Sequence, residues 1–348
     1  MEKPRILFIT SRTDTGGGPK YLVDFLRNVS QKVEIFSASP LAPPYGETIR
    51  GLSVDHYEIP HRSFQVRKFL GLLFWARAHS ISTVHSHGRG AGVYARLLHL
   101  FGFRVIHSFH GVHREKTVSG WIKFRVDQIL DQFTDLYVLT SEAELKAAND
   151  SGLSVAGKTL FMFPKIEPIT DLPLKPRPPG APLRLGALSR MDPVKGLENL
   201  VKLLSMFHSK HPEIQWEFFH AGGIPDFKIP LAISKRVHFI GETLRPMDFL
   251  AGLDLFLSGS ISESFNLSVL EAISSGLKVV VSEIPGHSHY LSAKIAIGFD
   301  LQDATSFEMA LLSAIQAPAP GMEQINSFLA GFDNRENLLH YLRLVANS

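Results

Sequence analysis

Short apolar runs alternate with amphipathic stretches along this chain, and the spacing predicts its architecture. Residues 5–10 read as a buried strand and residues 19–29 as a helix with proline at its first position. Residues 33–37 and 52–59 read as strands, 64–79 as an amphipathic helix, 82–86 as a strand and 91–100 as a helix. Segments 104–109, 121–133 and 136–140 continue the series. Ser141 caps a helix over 142–150, and 159–163 closes the set. Strands and helices at this spacing argue for a parallel sheet covered on both faces.

The pattern then lapses. Residues 164–182 hold seven prolines with little periodicity, the composition of a semi-rigid linker. At 183–189 the alternation restarts, with a helix at 197–208 and strands at 215–221 and 236–240. A short helix at 246–252, a strand at 253–257, a helix from about Phe265 and a strand at 278–282 follow. Helical patterns at 306–317 and 322–346 complete the chain. The predicted organisation is an α/β first domain over 1–165, a linker over 166–182, a second α/β domain over 183–325 and a C-terminal helix over 326–348.

Composition narrows the class. An apolar share of 45% and a charged share of 20% belong to a globular protein with a large core. Zero cysteines exclude disulfides and thiol chemistry. The start reads as strand and not as a secretory leader, and the longest apolar run, 69–76, is too short to span a bilayer. The expectation is a cytoplasmic protein. Residues 1–165 carry 21 Lys/Arg against 14 Asp/Glu, and the remainder 15 against 19. A basic first half suits phosphates, acidic glycans or an anionic membrane surface on the inner face of the cell membrane. Nucleic acid is disfavoured, because no Lys/Arg run interleaves with aromatics. The basic, aromatic-rich segment 62–77 fits a bilayer surface, and core packing of its apolar face is the alternative.

Candidate chemistry falls on strand-to-helix loops, where open parallel sheets bind ligands. The principal stretch is Glu263-Ser-Phe-Asn-Leu-Ser-Val-Leu-Glu271, which puts one acid before a helix and another two turns inside it. Ionised carboxylates accept paired hydrogen bonds from vicinal hydroxyls, and the N–H groups of residues 265–267 suit an anion. An acid favoured by the helix dipole and a solvated helical acid are the bland alternative. Arg12-Thr-Asp-Thr-Gly-Gly-Gly18 offers a close backbone approach to phosphate, or an ordinary flexible turn. Ser189-Arg-Met-Asp-Pro-Val-Lys-Gly196 sets Arg190 and Lys195 beside a helix start, which hints at a diphosphate between them, or at a solvated basic loop. His110 ends a strand, where an imidazole can donate to a substrate hydroxyl or a carbonyl, and a purely structural histidine is the alternative. His85, His87, His107, His110 and His113 invite a metal reading, but the spacing supplies no ligand set. No Gly-x-Ser-x-Gly or His-Glu-x-x-His stretch is present.

Taken together, these loops resemble the retaining glycosyltransferases of GT-B fold, in the family-four group that builds bacterial surface polysaccharides. The most specific part is the Glu-x7-Glu block with its tail from Glu271 to Gly286. The resemblance implies two Rossmann-like, doubly wound domains facing across a cleft. It implies that Gly17 and Gly18 approach the donor phosphates, and that Arg190 and Lys195 hold the diphosphate in place of a metal. Glu271 binds the ribose, Glu263 and His110 engage the transferred sugar, and the amides of Phe265, Asn266 and Leu267, with Ser264 beside them, contact sugar or phosphate. Thr243 lies where the family contacts the base. The resemblance thus implies no metal and no cofactor, a UDP- or GDP-sugar donor, and a glycan or lipid-linked acceptor of capsule, lipopolysaccharide or exopolysaccharide. Asn266 departs from the family's usual glycine, which suggests a narrower space above the sugar. A sugar-nucleotide 2-epimerase of the same fold and a two-lobed sugar-binding protein without turnover are the alternatives.

Overall fold

Seven strands pair in parallel in the first half of the chain and six in the second. The computed structural model describes residues 3–112, 118–164, 166 and 177–346. It divides into one unit of Met1–Lys165 with Asp333–Ser348, and another of Ile166–Phe332.

In the first unit the elements run β1 (Arg5–Thr10), α1 (Gly17–Val29), β2 (Glu34–Ser39), α2 (Gly46–Gly51), β3 (Asp55–Glu58), α3 (Val66–Ala78), β4 (Thr83–His87) and α4 (Arg89–His99). They continue as β5 (Arg104–Ser108), α5 (Val118–Leu130), β6 (Leu136–Leu139), α6 (Glu142–Asp150) and β7 (Thr159–Phe161). Sheet order is β3-β2-β1-β4-β5-β6-β7. The middle strands read as unbroken apolar runs because helices cover both faces, and Ile6, Leu7, Phe8 and Ile9 are all fully buried. Leu7 and Ile9 meet Leu72 of α3 and Tyr94 of α4 on one side. On the other side Phe8 packs on Phe25 of α1.

The second unit runs β8 (Leu183–Leu188), α7 (Leu197–Lys210), β9 (Trp216–Ala221), β10 (Val237–Phe239), α8 (Pro246–Leu250), β11 (Leu255–Ser258) and α9 (Leu267–Ser274). It then adds β12 (Lys278–Ser282), α10 (Ser288–Ser292), β13 (Ile297–Phe299), α11 (Ala304–Gln316) and α12 (Met322–Ala330). Its order is β10-β9-β8-β11-β12-β13. In each sheet the order in which strands are added reverses once, between β1 and β4 in one and between β8 and β11 in the other. At such a reversal the loops on either side diverge and leave a crevice beyond the strand ends.

Some expected elements differ. Helix α1 begins at Gly17, so Pro19 is its third residue. The strand expected over 52–59 shortens to β3. The helical pattern over 322–346 is two helices, α12 and α13 (Arg335–Ala346), so the single C-terminal helix expected over 326–348 is interrupted. The break has a local cause. Asp333 Oδ1 accepts from Arg335 N at 3.0 Å and starts a new helix, while the Asn334 amide exchanges two bonds with the Phe163 backbone, at 2.6 and 2.9 Å. Helix α12 belongs to the second unit and α13 to the first. There Tyr341 is fully buried, with its hydroxyl 3.0 Å from His85 Nδ1. Most of the expected linker and His113 lie outside the described residues.

Candidate functional site

In the second unit the loops that follow β8 and β11 are pressed together. Gly196 sits at φ 63°, and a Cβ there would lie 1.9 Å from the carbonyl oxygen of Gly259, so only glycine fits. Ile261 N donates to Val194 O at 2.8 Å and stitches the loops further. The result is a narrow crevice at the reversal point, bordered by Ser189, Lys195, Ser258, Glu263 and Asn266. Across its mouth Lys195 Nζ lies 2.7 Å from Glu263 Oε1, and Ser260 Oγ donates to the same oxygen at 2.8 Å. Arg190 is on the Lys195 loop, 3.6 Å from Asp192. Asp192 also caps the turn by accepting from Val194 N at 3.1 Å.

Glu263 precedes α9 and Glu271 stands in its second turn, where it is buried. Helix α9 starts at Leu267, after Ser264 and Phe265, and the first N–H groups of a helix have no carbonyl partner within it. The Phe265 ring is itself structural: it is buried and stacks on His289 at 4.4 Å. Tyr290 is fully buried, and its phenol is held well above the ordinary range by burial and then by the Glu263 and Glu271 carboxylates. That influence ties both acids to one neighbourhood. Thr243 lies on the loop after β10, at the same edge of the sheet, and its hydroxyl accepts from Arg245 N at 3.0 Å.

Asn266 borders the crevice and is tied into its wall. It adopts φ 59° and ψ 76°, a left-handed conformation open to glycine and tolerated by asparagine. Its amide is bonded to Ser258, Ser268 and His287 instead of standing free above Glu263. Asparagine therefore keeps the backbone turn that a glycine would make.

The first unit gathers Gly17, Gly18 and His110. A Cβ on Gly18 would touch His110 Cβ at 3.4 Å, so the glycine loop after β1 lies against the histidine after β5. His110 takes φ 57° and Gly111 φ 119°. This sharp turn is held by Glu144, whose Oε1 accepts from Gly111 N at 2.9 Å while Oε2 accepts from Thr140 N at 2.8 Å. The His110 ring meets the edge of Tyr21 at 4.9 Å, and its Nε2 is 2.9 Å from His87 Nδ1. Burial, then the nearby Arg12 guanidinium, push His110 down to about 4, so it is neutral at pH 7. Arg12 is itself forked onto Asp14 at 2.9 and 3.0 Å, with Arg62 on the same carboxylate at 2.9 Å.

Sequence reasoning met His87 only among the histidines of the metal reading, and it did not reach Ser260, His287, Tyr290 or Glu144. The last carried a signal, since Ser141-x-x-Glu144 is a capping-box spacing. Among the described residues no group of three His, Asp or Glu side chains is placed to hold a metal.

Comparison with known proteins bears on family and fold. The family described as Glycosyltransferase Family 4 matches residues 15–154, and that described as Glycosyl transferases group 1 matches residues 182–317. Together they span more than three quarters of the chain. An O-antigen biosynthesis glycosyltransferase of Escherichia coli is 26% identical over 121 residues, 35% of this chain and 34% of the relative, so the match spans about a third of that protein. The D-inositol 3-phosphate glycosyltransferase of Corynebacterium urealyticum is 25% identical over 342 residues, covering 86% of this chain and 74% of the relative. Among solved structures, Anabaena HepE in complex with UDP-glucose superposes with a TM-score of 0.74 at 15% identity, over 99% of this chain and 98% of that one. The shared architecture is GT-B.

Proposed function

This chain belongs to the family-four glycosyltransferases of GT-B fold, and on that footing we propose that it is a retaining enzyme that moves a sugar from a nucleoside diphosphate to a glycan or lipid-linked acceptor. The observation that carries the reading is the Lys195–Glu263 pair at the crevice between β8 and β11. A diphosphate there meets Lys195, and Arg190 on the same loop, where fixed cations stabilise charge on the departing nucleotide without a divalent ion. Glu271 suits the ribose hydroxyls and Glu263 those of the transferred sugar, because each carboxylate accepts two hydrogen bonds. Thr243, on the loop after β10, is proposed to contact the base. In the first unit, Gly17 and Gly18 are proposed to suit the donor phosphates and neutral His110 a sugar hydroxyl.

The chemistry is same-face displacement at the anomeric carbon. The bond to the phosphate oxygen breaks as the acceptor hydroxyl attacks, and the hydroxyl proton passes to the departing phosphate. Of the UDP- and GDP-sugars expected, the likeness to HepE with UDP-glucose favours the first, and the O-antigen relative favours a surface-polysaccharide acceptor.

An anionic membrane surface fits the outer faces of α3 and α5. Val66, Leu70 and Phe74 on one, and Trp121, Ile122 and Ile129 on the other, are exposed beside Arg67, Arg77 and Arg125. Among the described residues no helix is long and apolar enough to cross a membrane, and the contact proposed here is a peripheral one. The test of function is transfer from labelled UDP- and GDP-sugars to lipid-linked glycans, with the product anomer read by NMR. Retained configuration supports the reading, and an inverted product or donor epimerisation without acceptor contradicts it.

A further inference from the structure

An asparagine at the turn into α9 brings an amide that glycine would lack, and that amide must be held somewhere. Its Nδ2 donates to Ser258 Oγ at 3.0 Å and to His287 Nε2 at 2.8 Å, while its Oδ1 accepts from Ser268 Oγ at 2.9 Å. The chemistry of His287 is dictated by its other nitrogen. Nδ1 lies 2.8 Å from the carbonyl oxygen of Ser282, which can only accept, so Nδ1 carries the hydrogen. The ring is fully buried, and burial holds it below its ordinary value of 6.5. A neutral ring with hydrogen on Nδ1 leaves Nε2 as a bare acceptor, aimed at Asn266.

Two further contacts connect this ring to the site. A run of hydrogen bonds passes from Asn266 to Ser258 Oγ, on to Ser260 Oγ at 3.3 Å, and then to Glu263 Oε1 at 2.8 Å. The backbone before His287 is also pressed on the acid, since a Cβ on Gly286 would lie 2.2 Å from the Glu263 carbonyl oxygen. We propose that His287 is a positioning residue of the donor site: by accepting from Asn266, it fixes the left-handed turn into α9, and with it the orientation of Glu263 toward a nucleoside diphosphate sugar. The proposal rests on the donor-site reading above. Glycine needs no such partner at this turn, whereas asparagine does, because a released amide would be free to swing over the crevice it borders.

The test separates the two nitrogens of the ring. His287→Asn places a donor near Ser282 O and removes the acceptor for Asn266, while His287→Gln restores that acceptor. Affinity for UDP-glucose and GDP-mannose is read by calorimetry on the full chain, with donor KM and kcat wherever turnover is found. The proposal expects H287N to raise Kd and KM about tenfold, the worth of one buried hydrogen bond, with kcat moved less. It expects H287Q to recover most of that loss. It also expects H287N to cause no further loss in an Asn266→Gly background, whatever N266G does alone, because the coupling partner is gone. Wild-type affinity in H287N, or an equal loss with and without Asn266, overturns the role of His287. A wild-type chain that binds neither sugar nucleotide fails at the donor-site reading instead, and takes this proposal with it.

Discussion

Lys195 Nζ lies 2.7 Å from Glu263 Oε1, so the cation proposed for the diphosphate is neutralised by the carboxylate proposed for the sugar. Donor binding would divide this pair, giving each partner a new ligand. Removing the cation with Lys195→Ala is expected to lower kcat/KM by roughly 10²–10³, the size of a lost transition-state charge contact. Glu263→Gln leaves Lys195 charged and without that carboxylate. It is expected to bind UDP at least as tightly as the wild type while turnover falls. Calorimetry with initial rates checks both, and a loss of UDP affinity in Glu263→Gln contradicts the exchange.

Glu271 is buried in the second turn of α9, beside the same tyrosine that senses Glu263. Glu271→Gln keeps the shape and removes the charge. Nucleotide affinity is expected to fall about tenfold to a hundredfold, as for a hydrogen bond to a charged group, with a smaller change in kcat at saturating donor. The opposite split, with affinity kept and kcat lost, would move Glu271 away from the ribose.

Tyr341 fastens the final helix to the first unit through His85. Tyr341→Phe keeps the ring packing on Phe25 and leaves His85 Nδ1 without that bond. A loss of about 1–2 kcal/mol is expected in urea unfolding, with an unchanged m-value. No loss would mean that packing alone seats the helix.

Burial lowers His110 to about 4, and His85 to about 3. In the unfolded chain both take up a proton near 6.5. Between 6.5 and those lower values the unfolded state therefore binds more protons, and stability rises with pH. The contribution is complete above 6.5 and is lost as pH falls toward 4 and then 3. The melting temperature should drop between pH 7 and pH 4.5, less steeply in His110→Asn. A profile as steep in the variant as in the wild type contradicts the assignment.

The parallel alternation was legible because buried strands leave continuous apolar runs, as in residues 5–10 and 278–282. The cap at Ser141 was legible because its partner, Glu144 N at 3.1 Å, is only three residues away. Glu263 and Glu271 were found by spacing, since one short helix relates them. The rest depends on distance along the chain. His287 meets Asn266 across 21 residues, and His85 meets Tyr341 across 256, so no local period encodes either bond. The bonds that hold Asn266 were hidden for a similar reason, since two of its three partners come from β11 and the turn after β12.

The central claim is that a nucleoside diphosphate sugar is held by Lys195, Arg190 and Glu271 without a divalent ion. Melting temperatures of the wild type and of Lys195→Ala, Arg190→Ala and Glu271→Gln, taken with UDP-, GDP-, ADP- and TDP-sugars in excess EDTA, test it most directly. The account predicts that at least one donor raises the wild-type melting temperature in EDTA, and that the rise shrinks or vanishes in all three variants. A rise that requires added Mg²⁺ or Mn²⁺, or one that survives intact in the three variants, would contradict it.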